Sequence, residues 1–239
     1  MSAMRYAHYA DLAELFDFPA ADYPDRVKWV QALLDGPYPE AAAELQLFSD
    51  ALPASEHALQ ELYTRTFEIQ SLTTLSVGYI LFGDDYKRGD LLANLNREHG
   101  TAGNDCRGEL ADHLPNMLRL IPLLEDEVLR EEMVADLLLP AIALMIREFD
   151  PGRVLKKDQN YEKHYKTLIE VPVADKTLFC RAFKALYQVM GKDFQAVGAH
   201  DSLPDIIARH QSSDFLGMIE REMEVEASAN ANNNSGRDH

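Results

Sequence analysis

Apolar positions along this chain recur at helical spacing almost from one end to the other. Tyr9, Leu12, Ala13 and Phe16 fall at i, i+3, i+4 and i+7, so residues 6–18 read as a helix that Pro19 stops. A second helix is expected from Tyr23, with Val27, Val30, Leu33 and Leu34 inward and Gly36-Pro37 as its end. Residues 39–52 form a third, with Ala42, Leu45 and Phe48 inward. Ser55 is placed to cap a fourth, which carries Leu59, Leu62, Tyr63, Thr66, Phe67 and then Ile69.

Later segments repeat the pattern. Residues 87–99 turn Leu91, Leu92 and Leu95 inward, and residues 100–108, with three glycines, read as a loop. Asp112 is a possible cap for a helix bearing Leu114, Met117, Leu118 and Ile121, with Pro115 tolerated in its first turn. Residues 127–149 read as one long helix, kinked by Pro140 and ended by Pro151-Gly152. Residues 156–159 read as a basic, polar turn between that helix and two more, over 161–169 and 177–190. The run Val77–Phe82 is too short for periodicity to separate strand from buried helical turn; in this helical setting it reads as helix. No alternating strand pattern and no internal repeat stands out. The expectation is an all-α, single-domain bundle of about nine or ten helices over residues 1–195. A weakly patterned helical extension over 196–226 follows, and then a disordered, asparagine-rich tail over 227–239.

Composition narrows the function classes. At 46% hydrophobic and 26% charged, the chain is an ordinary globular one. The net charge of −17 disfavours nucleic acid and anionic membrane surfaces as partners and favours a basic protein segment. Two cysteines, Cys106 and Cys180, are too few for a disulfide framework and fit a reducing compartment. The N-terminus has no apolar signal-peptide run, and the longest apolar run, residues 137–146, falls short of a membrane span, so a cytoplasmic protein is expected.

Candidate chemistry gathers in residues 63–115. No phosphate-binding P-loop, dinucleotide fingerprint, zinc-protease helix or serine elbow is present. Glu109 and His113, at i and i+4, would share one face of a helix and could hold a metal, with His99 as a further ligand; the competing reading is helix-start chemistry with Asp112. Gly83, Asp84 and Arg88 lie in a run that could bind a small ion or form a capped turn with an Asp84–Arg88 pair. Tyr63, Phe67, Tyr79 and Phe82 are either core or the apolar anchors of a groove for a partner helix.

Two ordered motifs carry a resemblance. Tyr63-Thr64-Arg65-Thr66-Phe67, then Tyr79-Ile80-Leu81-Phe82-Gly83-Asp84 and Arg88-Gly89, resemble the N-terminal half of the NarJ/TorD/DmsD redox-enzyme maturation chaperones. Glu109-Leu110-Ala111-Asp112-His113-Leu114-Pro115 is similar to that family's Glu-Leu-Pro-Asp-His-Leu-Pro signature, with Ala111 in place of the proline. The variants at 67–69 and 82–84 lean toward the branch serving nitrate reductase and other type II DMSO-reductase-family enzymes. The resemblance implies a non-enzymatic cytoplasmic chaperone, without a cofactor of its own. It would bind the apo catalytic subunit of a molybdopterin oxidoreductase, through an N-terminal or leader segment, and assist molybdenum-cofactor insertion before any export. It also implies that Tyr63, Phe67, Tyr79, Phe82, Gly83, Asp84, Arg88, Glu109, Asp112, His113, Leu114 and Pro115 form the partner-binding region, in a monomer or a dimer. A metal-binding protein or enzyme built on Glu109 and His113, or a stable oxidoreductase subunit, are the alternatives.

Overall fold

The computed structural model describes residues 5–165, 176–195 and Val225. Apart from Val225, the extension and tail expected beyond residue 195 lie outside the described residues, as does the end of the helix expected over 161–169. Among the described residues the chain is all-α, with ten helices if the rod over residues 127–147 is counted once. They are α1 (His8–Ala13, continued by a 3-10 turn, Glu14–Phe16), α2 (Tyr23–Leu34), α3 (Pro39–Asp50), α4 (Glu56–Phe67), α5 (Val77–Phe82), α6 (Tyr86–Ala102) and α7 (Leu114–Leu120), then α8 (Glu127–Glu132), α9 (Leu139–Arg147), α10 (Pro151–Tyr165) and α11 (Phe179–Asp193). No helix among these residues is long and apolar enough to cross a membrane.

Helix α9 is the centre of the bundle. Every residue from Leu139 to Ile146 is buried, which an all-apolar helix requires. It packs between α5 on one side and α11 on the other, and α11 in turn lies along α3. Pro140 sits in the first turn of α9, and the turn before it, Met133–Leu138, widens to a π-helix. Proline lacks an N–H and crowds the carbonyl four residues back, and the wider turn takes up that mismatch. The rod stops at Arg147, two residues short of the expected end.

Pro151 and Gly152 begin the next helix instead of only closing the last one. The Asp150 carboxylate caps α10 by accepting from the Gly152 amide at 2.9 Å and the Arg153 amide at 3.3 Å. The expected turn at 156–159 is mid-helix. The inward stripe of α10 is Val154, Lys157 and Tyr161, so a buried lysine interrupts the apolar signal. Its ammonium meets the buried Glu148 carboxylate at 2.9 Å and donates to the Leu72 carbonyl.

Tyr63 and Phe67 belong to the core and cannot anchor a partner helix. Their rings lie 4.9 Å apart, and Phe67 meets Phe179 of α11 edge-on, also at 4.9 Å. The Tyr63 hydroxyl donates to the Phe16 carbonyl at 3.1 Å. Helix α11 therefore occupies the space a guest helix would have filled. Each of these edge-to-face pairs contributes about 0.5–1.5 kcal/mol beyond simple burial.

Candidate functional site

The two motifs are joined into one unit. Ser76 and His113 form an isolated antiparallel bridge, in which the Val77 amide donates to the Asp112 carbonyl at 2.9 Å and the Leu114 amide to the Leu75 carbonyl at 2.8 Å. The start of α5 is thereby stitched to the start of α7 across thirty-odd residues of chain.

A buried ion pair locks the stitch. Asp112 is fully buried, and its Oδ2 accepts from Arg88 Nε at 3.2 Å. Arg88, on α6, also lays its guanidinium 5.3 Å from the Tyr79 ring centre. Asp112 Oδ1 is buried without a hydrogen-bond partner, so Arg88 carries the neutralisation of this carboxylate. Gly78 makes the approach possible: a Cβ there would lie 2.8 Å from Asp112 Oδ2 and 3.0 Å from a Leu91 methyl. Any larger residue at 78 drives α5 away from the pair.

Several expected roles change accordingly. Asp112 does not cap α7; the N-cap position is His113, whose side chain makes no capping bond. Arg88 reaches Asp112 rather than Asp84, which is exposed. Gly83 turns the chain between α5 and α6 at φ +60° and ψ −139°, a conformation glycine adopts without penalty. Leu114 and Pro115 are buried, whereas Tyr79 and Phe82 are half-buried against the core.

Glu109 and His113 do not share a helix face, because residues 109–113 form a turn ahead of α7. Among the described residues no three His, Cys, Asp or Glu side chains are grouped to hold a metal ion. Burial lowers the His113 pKa, Glu109, Asp17 and Asp112 oppose that shift, and Arg119 reinforces it. Asp17 itself is paired with Arg119 and, at 3.6 Å, with Arg107.

The loop before this turn is held from inside. Helix α6 runs three residues into the expected 100–108 loop and ends at Gly103 in the left-handed region, with the Asn104 amide returning to the His99 carbonyl at 2.9 Å. Asn116, from α7, donates through its amide to the Cys106 and Leu110 carbonyls, each at 3.1 Å.

The open surface lies beside the unit, on α4. A depression of about 440 Å³ is lined by Phe18, His57, Glu61, Thr64, Arg65 and Ile69. Phe18 is 51% exposed and Ile69 56% exposed, large values for apolar side chains at one opening. Phe18 stands edge-on to the Tyr63 ring at 5.3 Å. Burial pushes the Tyr63 phenol pKa far up, and the nearby Glu68, Asp17 and Glu109 carboxylates push it further. Glu68 and Glu109 are exposed, so the depression borders an acidic surface. Phe18 and Gly78 carry no role in the sequence pattern, and Ile69, expected on the stripe of the fourth helix, stands exposed beyond its end. Phe18 and Ile69 lie just past the ends of the Glu14–Phe16 turn and of α4, where helical periodicity carries no signal, and Gly78 interrupts an apolar run.

Compared with models of known protein families, the chain matches none, and comparison with curated proteins finds no match either.

Proposed function

We propose that this protein is a cytoplasmic, system-specific chaperone for the apo catalytic subunit of a molybdopterin oxidoreductase of the nitrate reductase and DMSO reductase type. It binds an N-terminal or leader segment of that subunit and keeps it ready for molybdenum-cofactor insertion. The resemblance of its two motifs to the maturation chaperones motivates the reading. The observation that carries it is the joining of those motifs, through Arg88, Asp112 and Gly78, into one rigid unit beside an exposed apolar depression.

In this reading the motifs are a scaffold and the depression beside them is the contact surface. Phe18 and Ile69 receive an apolar side chain of the partner, and Glu68 and Glu109 receive a flanking lysine or arginine. The acidic surface raises the association rate more than the affinity, so raising ionic strength slows capture first.

A chaperone leaves its client, whereas a structural subunit stays. The mature oxidoreductase, purified with its cofactor bound and active, is therefore expected to lack this chain by mass spectrometry. Stoichiometric retention in the active enzyme would make the chain a structural subunit instead.

A further inference from the structure

His99 is nearly the most buried polar group in the loop region, at 2% exposure, and both its ring nitrogens are committed. Nε2 lies 3.0 Å from the Ala111 carbonyl, which can only accept, so Nε2 carries the proton and donates. Nδ1 lies 2.9 Å from Asn104 Nδ2 and accepts from it. Asn104 cannot reverse its amide freely. The same Nδ2 donates to the Asn116 carbonyl at 3.0 Å, so a reversed amide would set oxygen against oxygen. The neutral Nδ1-acceptor tautomer is thus fixed by a chain running from α7 through Asn104 to α6, and it holds Ala111, next to the buried Asp112.

We infer that His99 is an acid-operated latch on the 103–113 loop: neutral, it fastens the loop to α6 and α7, and protonated, it releases Asn104 and Ala111. Protonation puts a second donor on Nδ1, facing the Asn104 donor, and the only relief is to break the bond to Asn116 or to open the loop. The charged and titratable groups of this loop are Asp105, Cys106, Arg107, Glu109, Asp112 and His113, with Arg88 of α6 against Asp112, and none of them acts appreciably on His99. Burial lowers its pKa, opposed only by the hydrogen bond to the Ala111 carbonyl. The sign follows. An opened loop returns His99 to its ordinary value of 6.5, so the open state binds the proton more readily. The closed loop is at full stability above that value. It weakens as pH falls between the open and closed pKa values, and levels off below the closed one.

Amide hydrogen exchange across 104–112, corrected for intrinsic rates, tests this at about pH 7.5 and about pH 5. Protection there is expected to fall severalfold at the lower pH, while α9 amides keep theirs. The loss must set in near the open-state value of 6.5 and level off at the His99 ring titration followed by NMR. His99→Gln keeps a donor for Ala111 and an acceptor for Asn104 without a proton to gain, and its loop is expected to stay closed at the lower pH. His113→Gln is expected to respond like the native chain. Protection independent of pH overturns the latch, as does a loss that continues well below the His99 titration. If His99→Gln fails to fold, the match in the native chain between the end of the loss and the His99 titration decides alone.

Discussion

Asp112→Ala is expected to lower unfolding stability by about 2–3 kcal/mol in chemical denaturation, with the loss centred on the contact between α5 and α7. The carboxylate is fully buried, and its removal leaves the Arg88 guanidinium, 19% exposed, without its counter-charge. That residual exposure places the cost at the lower end for breaking a buried pair. Asp112→Asn keeps an acceptor for Arg88 and is expected to cost less. Gly78→Val pushes on the same pair from the other side, where a Cβ already comes within 2.8 Å of Asp112 Oδ2, and is expected to destabilise to a similar degree. Unchanged stability in Asp112→Ala would mean that the pair does not hold the two motifs together.

The second large effect is on binding. The double substitution Phe18→Asp with Ile69→Asp is expected to weaken partner binding by about a hundredfold or more, while unfolding stability stays within about 0.5–1 kcal/mol of native. Both side chains are more than half exposed, so little core packing is lost. Phe67→Ala gives the opposite pattern: with Phe67 buried against Phe179 and Phe183, it is expected to cost about 3–4 kcal/mol of stability. Circular dichroism and titration calorimetry with the captured subunit separate the two cases. Native-like binding by the doubly charged variant would remove the depression on α4 from the recognition surface.

Much of the fold was legible because helical periodicity survives wherever the inward stripe is apolar. Helices α2, α3, α4 and α11 follow their stripes to within a few residues, and Ser55 caps α4 as its residue type suggests, accepting from the Ala58 amide at 3.2 Å. Periodicity failed where the buried face is polar. Lys157 made the middle of α10 look like a turn, because an ammonium matched to Glu148 and a carbonyl reads as solvated until its partners are known. The candidate site was half legible for a related reason. The motifs were visible, but residue type does not say whether an aspartate faces water or a distant arginine. Asp112 and Arg88 are 24 positions apart, and only the fold brings them together. Tyr63 and Phe67 were ambiguous because the anchors of a groove and the residues of a core have the same spacing. The packing of α11 decides that they are core.

The most direct test of the chaperone account is affinity capture of this chain from its native host, with mass spectrometry of the bound proteins and molybdenum analysis of the same eluate. The account predicts recovery of a molybdopterin-type catalytic subunit that mainly lacks its cofactor, and loss of that subunit when Phe18 and Ile69 are replaced by aspartate. A partner-free protein carrying about one equivalent of metal would contradict the account and return attention to Glu109 and His113.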